Sequence, residues 1–295
     1  MTTTPLLACR GIAKNFGGVR ALRGVDFDVH AGRVHALVGE NGAGKSTLTK
    51  IIAGLYPADS GTLAFAGEPL SVSDTAAALA RGIVTVHQDV NLIVSQTVAE
   101  NVFLANEPTT GPLGVIRGRE MHRRTAELLE RYAIACTPET RVGDLPNDQR
   151  KMVQILKAIS RKAQLLLLDE PTSSLTETEV QLVLRLIRDL SGQGVGIVFI
   201  SHYLNEVFEV ADDITVLRDG AVSLVGERRD LTLDQVVAAM IGRELDHQLQ
   251  RGAERTIGAP LLEVRGLAVQ GGPSDIGITL HQGEILGVTG LTGSG

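Results

Sequence analysis

The stretch Gly39-Glu40-Asn41-Gly42-Ala43-Gly44-Lys45-Ser46-Thr47 constrains this chain most, because it follows the apolar run from Arg33 to Val38 and leads straight into Leu48, Ile51 and Ile52. A glycine-rich turn between a buried strand and a helix is the context in which G-x-x-x-x-G-K-S/T binds phosphate. Its glycines let successive backbone N–H groups converge on an anion at a helix N-terminus, where the helix dipole is positive. Lys45 then reaches the β- and γ-phosphates, and the Ser46 hydroxyl ligates Mg²⁺. All of Gly39, Glu40, Asn41, Gly42, Ala43, Gly44, Lys45, Ser46 and Thr47 are therefore expected to handle ATP with its Mg²⁺. The order of glycines does not supply the G-x-G-x-x-G of a dinucleotide-binding turn.

A strand that feeds such a loop sits in a parallel sheet covered on both faces, so its neighbours should also be apolar throughout. Strand-like runs of this kind are Ile83 to His87, Leu165 to Asp169 and Ile197 to Ser201. The run Leu165-Leu166-Leu167-Leu168 ends in Asp169 and Glu170, as a buried strand delivering two carboxylates to the end of a sheet does. Asp169 is expected to hold Mg²⁺ through water and Glu170 to polarise the attacking water, since phosphoryl transfer is mostly positioning and electrostatics. Helical patterns alternate with the strands: Thr176 and Glu179 form a capping box, and Val180, Val183, Leu184, Ile187 and Leu190 recur at helical spacing. Between Asp89 and Ala163 the pattern is mostly helical, with Met121, Leu128, Leu129 and Tyr132 on one face.

Composition removes other classes. Net charge is −6, and with 6 Phe, 3 Tyr and no Trp the chain has neither a basic face nor stacking platforms for nucleic acid. Two cysteines, Cys9 and Cys136, match no disulfide, metal or redox spacing and fit a reducing, cytoplasmic setting. The words Leu6-Leu7-Ala8-Cys9 resemble a lipoprotein cleavage box, but no apolar segment of useful length precedes them. No aliphatic run approaches the roughly 20 residues needed to cross a bilayer. Histidines 30, 35, 87, 122, 247 and 281 form no metal-ligand spacing, and Arg117, Arg119, Arg123 and Arg124 are interleaved with Glu120, Glu127 and Glu130 as on a solvated helix face.

The chain also repeats itself with a period of about 250 residues, longer than any solenoid unit and therefore the mark of a duplicated domain. Leu7-Ala8-Cys9-Arg10-Gly11-Ile12 recurs as Leu262-Glu263-Val264-Arg265-Gly266-Leu267, and Gly32 to Gly39 recurs as Gly283 to Gly290. Because Cys9 matches Val264, strand packing is its expected role. These limits give a first domain over residues 1–245, with a helical subdomain at about 89–163, a polar linker over 246–259 and the start of a second domain, expected to be truncated, over 260–295.

Further markers fall in the order of the ATP-binding cassette (ABC) family, which the first 250 or so residues resemble: Val86-His87-Gln88-Asp89, Leu145-Pro146-Asn147-Asp148-Gln149, Ser173-Ser174-Leu175-Thr176 and Ile200-Ser201-His202. The resemblance implies an α/β P-loop NTPase core with a mostly parallel sheet, an antiparallel β subdomain and an inserted helical subdomain. It makes Gln88 a sensor of Mg²⁺ and of the membrane subunit, and His202 a switch that contacts the γ-phosphate. Phe16 is implied to stack on adenine, although a place in the core accounts for it nearly as well. The family's signature segment usually reads Leu-Ser-Gly-Gly-Gln, whereas Leu145, Pro146, Asn147, Asp148 and Gln149 stand here, so a hydroxyl and a backbone N–H are replaced and a carboxylate is added. Pro146 is tolerable at the first position of a helix.

Cassettes of this family pair head to tail, so a second ABC domain is an expected partner. The wording around Val86 to Leu92, Thr97 to Leu104 and Gly196 to His202, and the restart at Gly283-Glu284-Ile285-Leu286-Gly287, is similar to the ATP-binding subunits of ribose, xylose and galactose importers. That class implies ATP hydrolysis coupled to monosaccharide uptake, polytopic membrane permease subunits, a sugar-binding protein and a peripheral place at the cytoplasmic face of the membrane. A nucleoside importer subunit, a soluble ATPase acting on ribosomes or DNA, and a regulatory cassette remain as alternatives; the basic arms, charged interdomain helix or zinc cysteines of the soluble class are not visible.

Overall fold

Aliphatic runs without polar alternation belong in the middle of a parallel sheet, and that is where they lie. The computed structural model describes residues 4–70, 74–86, 91–173, 175–242, 257–269, 272 and 274–289, and in it Val34–Val38, Leu165–Leu168 and Gly196–Ile200 are buried throughout. The chain divides into two units, Met1–Arg243 and Glu244–Gly295.

The first unit opens with β1 (Leu7–Phe16), β2 (Val19–Val29) and β3 (Val34–Val38), then α1 (Lys45–Ile52), β4 (Ser60–Phe65), β5 (Glu68–Pro69), α2 (Thr75–Ala80) and β6 (Ile83–Val86). A mainly helical insertion follows, with α3 (Val98–Val102), a hairpin of β7 (Thr109–Thr110) and β8 (Val115–Ile116), α4 (Gly118–Arg131) and α5 (Asn147–Ser160). The chain returns to the sheet through β9 (Leu165–Asp169), α6 (Glu177–Gly192), β10 (Gly196–Ile200), α7 (Leu204–Val210), β11 (Asp213–Arg218), β12 (Ala221–Glu227) and α8 (Leu233–Ile241).

Six strands form one sheet in the order β12-β11-β3-β10-β9-β6, parallel except for the β11–β12 pair. Strands β2, β1, β4 and β5 form a second, antiparallel sheet. The period of 2 along each central strand sends alternate residues into two different cores. Leu166, Leu168, Ile197 and Phe199 pack with the helices, whereas Leu165, Leu167, Val198 and Ile200 pack with Leu7, Cys9, Ile12 and Phe27 of the second sheet. Cys9 is therefore a core residue, fully buried.

The helical expectations hold locally. Thr176 N–H and Oγ1 both donate to Glu179 Oε2 at 2.7 Å, and Met121, Leu129 and Tyr132 are buried with Leu128 partly so. Glu120 is shared by Arg123 and Arg124 on the exposed face of α4, which keeps its carboxyl well below the ordinary range, at about 2. Two features differ from the sequence reading. The strand expected to run to Ser201 ends at Ile200, because the Ser201 hydroxyl turns to Glu206 and accepts from Tyr203 N–H. The insertion also contains the β7–β8 hairpin, whose turn rests on Gly111 and Gly114 at φ 70° and 65°.

In the second unit, β13 (Pro260–Leu267) pairs with β14 (Ile276–His281) in an antiparallel ladder. Its register slips between Val264 and Leu267, around Gly266 at φ 58°, just as the β1–β2 ladder slips between Cys9 and Ile12 around Gly11 at φ 60°. The repeated words thus carry the same bulge. The first part of the expected linker, 246–256, lies outside the described residues.

His35 gives this core a pH dependence. Its ring lies 4.6 Å from that of Phe27, Nε2 shares a 2.7 Å hydrogen bond with Thr215 Oγ1, and Nδ1 has no partner among the described residues. Burial pushes its pKa down to about 4 from 6.5. The unfolded chain therefore takes up a proton below pH 6.5 that the native state refuses until about pH 4, and stability falls as pH drops through that window. Between pH 7 and pH 5 this residue should remove about 2 kcal/mol. Urea unfolding at both pH values should show that the double variant His35→Leu/Thr215→Val loses this part of the slope; an unchanged slope would refute the assignment.

Candidate functional site

Ligands of open α/β sheets lie beyond the carboxyl ends of the strands. Here β3, β10 and β9 are parallel neighbours, so the loops that follow them converge. Asp169 is opposite Ile200 in the β9–β10 register, which brings the residues after each strand to the same height. Between them is a cavity of about 560 Å³ lined by Asn41, Gly42, Gly44, Lys45, Ser46 and Thr47 from one loop and by Asp169, Glu170 and His202 from the other two.

The first loop can take its shape only with glycine at its ends. A Cβ on Gly39 (φ 152°) would stand 2.2 Å from the Leu217 carbonyl oxygen, and one on Gly44 (φ 107°) 2.7 Å from that of Ala21. Gly39, Glu40 and Ala43 shape the loop from behind: Lys45 Nζ donates to the Gly39 and Glu40 carbonyls at 2.7 and 3.0 Å, Ala43 N–H donates to Glu40 and the Ala43 carbonyl accepts from Gly220. An ammonium has three protons, so this geometry leaves Lys45 one for an anion in the cavity. Burial pushes the Lys45 pKa down, while the carboxylates of Glu170 and Asp169 push it back up. Helix α1 starts at Lys45, so the unpaired N–H groups of its first turn face the same space.

Glu170 leaves the β9 ladder in the left-handed region, at φ 49°, a conformation uncommon outside glycine. Its N–H donates to the Ile200 carbonyl at 2.9 Å, and its own carbonyl accepts from Ser173 N–H and Oγ. This backbone turn carries Glu170 Oε1 to 3.4 Å from His202 Nδ1. The His202 ring packs against that of Tyr203 with centroids 3.9 Å apart and the planes tilted by 42°. Ser46 and Asp169 supply a hydroxyl and a carboxylate to one cavity, an oxygen donor set suited to a hard divalent cation.

Other expected residues lie elsewhere. Phe16 is at the end of β1, 40% exposed, with its ring edge-on to Tyr56 at 5.3 Å and under Lys14 Nζ; it does not line this cavity and is not a core residue. The segment Leu145 to Gln149 is likewise apart from the cavity: Leu145 is buried, while Pro146 and Asn147 are exposed. Pro146 is not the first helical residue, as the sequence suggested, but the N-cap of α5 in an extended conformation, where its carbonyl accepts from Arg150 N–H. Gln88 and Ser174 lie outside the described residues. Sequence reasoning missed Ala21, whose only signal is its place on β2, and it missed the Thr172–Glu206–Ser201 hydrogen bonds, which join residues far apart in the chain.

A phosphate loop, a carboxylate pair and a histidine at the ends of three parallel strands define a P-loop nucleotide-binding cassette. A sequence-family match with the description ABC transporter covers residues 22–173, and the chain belongs to that family. It is 47% identical over 290 residues to the putative ribose/galactose/methyl galactoside import ATP-binding protein 2 of Agrobacterium fabrum, covering 98% of this chain and 56% of that protein. It is 46% identical over 292 residues to the ribose import ATP-binding protein RbsA 1 of Rubrobacter xylanophilus, covering 99% of this chain and 58% of that one. The chain thus spans little more than half the length of these curated relatives. The solved ADP conformation of MJ1267, an ATP-binding cassette of an ABC transporter, superposes with a TM-score of 0.70 at 27% identity over 82% of this chain and all of that one.

The glycines of the loop should not respond alike to substitution. Gly42 has open space around its missing Cβ, so Gly42→Ala carries only the strain of φ 84°, about 1 kcal/mol. Gly39→Ala adds a backbone clash and should cost about 3 kcal/mol or more. Urea unfolding of the two variants measures the difference, and equal losses would contradict this account of the loop.

Proposed function

We propose that this chain binds and hydrolyses ATP to drive uptake of a monosaccharide, as the peripheral subunit of an ABC importer at the cytoplasmic face of the membrane. The observation that carries the reading is the convergence of the phosphate loop, Asp169, Glu170 and His202 on one cavity. The names of its relatives, which are ribose or galactose import ATP-binding proteins, support the substrate class. No helix among the described residues is long and apolar enough to cross a membrane, so this reading requires polytopic permease subunits, with a sugar-binding protein to deliver the substrate.

The residues have distinct tasks. Gly39 to Thr47 cradle the phosphates, with Lys45 as the cation among them. Ser46 and Asp169, with Gln88, hold Mg²⁺, which when bound neutralises charge on the phosphate oxygens. Glu170 orients and polarises the attacking water, and His202, within 3.4 Å of it, faces the γ-phosphate. Phe16, exposed at its strand end, is available to stack on adenine. A second hollow of about 370 Å³, lined by Leu55, Leu79, Gln154 and Lys157, includes Thr85 and Asn91, which bracket the segment that carries Gln88. On this reading the hollow is assigned to the permease because Gln88 follows Thr85 by only three positions in the chain.

The domain reading is one cassette over 1–245, a linker over 246–259 and the opening of a second cassette from 260. The bulge shared by Gly11 and Gly266 and the greater length of the relatives support it. Two cassettes facing each other would make inequivalent sites, because Pro146, Asn147 and Asp148 offer no hydroxyl and add a carboxylate where the opposing phosphate would lie.

Lys45→Ala should abolish binding of Mg²⁺·ATP by this chain, measured by calorimetry; undiminished affinity would remove the basis of the reading. In the full-length protein assembled with its permease, Glu170→Gln should leave ATP binding intact and lower turnover by roughly 10² to 10⁴. Co-purification with a polytopic membrane protein, and sugar-stimulated phosphate release from that complex, test the transport role. The 295-residue chain alone should turn over slowly, since one lost preorganised donor costs about 10² to 10³ in rate. Pro146→Ser with Asp148→Gly should partly restore it, and a short chain as fast as the full-length protein would overturn the composite site.

A further inference from the structure

The strained turn at Glu170 and the loop of His202 are joined by a third carboxylate outside the cavity lining. Glu206, in the first turn of α7, accepts hydrogen bonds at one oxygen, Oε2, from Thr172 Oγ1 at 2.7 Å and from Ser201 Oγ at 3.0 Å. Thr172 and Ser201 are each 2% exposed, and each hydroxyl has a single proton, so both protons are committed to Glu206. Ser201 Oγ also accepts from Tyr203 N–H at 3.0 Å, which ties the backbone on both sides of His202 to the same carboxylate. Thr172 lies within the turn that Ser173 N–H closes on the Glu170 carbonyl, and Ser201 directly precedes His202. One side chain therefore anchors both loops, and their separation sets the 3.4 Å between Glu170 Oε1 and His202 Nδ1.

We propose that Glu206 is a positioning residue that clamps the loops after β9 and β10 so that Glu170 and His202 meet. Its acceptors are what matter. The oxygen of a glutamine amide can take both hydroxyl protons as the carboxylate does, whereas an alanine leaves two buried hydroxyls without their acceptor. A left-handed glutamate persists only where its surroundings over-determine it, and the clamp is one of those constraints, beside the Glu170–Ile200 and Ser173–Glu170 bonds. The kinetic arm of the test rests on the ATPase reading above; the exchange arm does not.

The experiment compares wild type, Glu206→Ala, Glu206→Gln and Glu206→Ala/Thr172→Val. In the 295-residue chain, hydrogen exchange at the Glu170 amide should quicken about tenfold in Glu206→Ala and stay near wild type in Glu206→Gln, with the amides of β3 unchanged. In the full-length protein with its permease, Glu206→Ala should keep ATP affinity within about threefold and lose about 10- to 100-fold in turnover, as misplaced catalytic groups do. Glutamine should restore most of that loss, and adding Thr172→Val to Glu206→Ala should change turnover by less than about twofold. An unchanged Glu170 amide in Glu206→Ala, or a glutamine variant as impaired as the alanine one, would overturn the clamp. Exchange that quickened equally in β3 would overturn it too, as the mark of general unfolding. Wild-type protein without turnover would sink the ATPase reading instead, and the exchange result would still decide on Glu206.

Discussion

The hydrogen bond from the Glu170 N–H to the Ile200 carbonyl at 2.9 Å is the contact on which the site depends. It extends the β9–β10 pairing one residue beyond Asp169, and the register behind it runs without a slip from Gly196 opposite Leu165 to Ile200 opposite Asp169. A shift of one residue in either direction would push Gln164 or Asp169 into a place now filled by a buried leucine, so the polar residues at the two ends of Leu165 to Leu168 hold the register. The apolar runs and the polar residues at their ends are thus one device. Packing fixes the strands, and the strands fix where Asp169, Glu170 and His202 emerge. The left-handed turn at Glu170 costs about 1–3 kcal/mol, and Ser173 and Ile200 hold it in place through backbone hydrogen bonds.

What could be read from the sequence was whatever depends on neighbours in the chain. The phosphate loop announces itself because glycine, lysine and serine must fall in fixed order for one short turn to surround an anion. Leu165 to Glu170 is legible for the same reason, since a buried strand with two carboxylates at its end has few uses. The capping box of α6 was equally local. The β7–β8 hairpin escaped because strands of 2 residues have no periodicity to detect. The exposed position of Phe16 escaped because an aromatic at a strand end reads the same whether its ring turns into a core or, as here, toward Tyr56. The Glu206 bonds escaped because Thr172 and Glu206 are brought together only by the pairing of β9 with β10.

The repeat shows the same division between local and distant causes. Gly11 and Gly266 both adopt a positive φ and both mark a slip in their ladders, so the related words around them carry the same bulge in both places. The signature segment shows the limits of that rule. Pro146 takes the extended conformation of an N-cap and its carbonyl accepts from Arg150 N–H, although proline has no side-chain oxygen to offer the first N–H groups of α5. Pro146, Asn147 and Asp148 are accommodated at the start of α5, so on the reading proposed above any constraint on them is chemical rather than a matter of the fold. Stability and chemistry therefore exert separate demands on those residues.

Electrostatics supply the last step. The phosphate loop offers N–H groups and Lys45 to an anion, yet Asp169 and Glu170 line the same cavity and repel one. The two carboxylates also support the charge on Lys45, raising a pKa that burial lowers, so they cannot be regarded as a mere obstacle. Attraction and repulsion would be reconciled if the phosphates arrived with a divalent cation, whose charge would offset that of Asp169 and Glu170. A nucleotide without its cation should meet two negative charges in a space of about 560 Å³. The carboxylate pair therefore creates a need for a counter-cation that the loop alone would not impose on a polyphosphate.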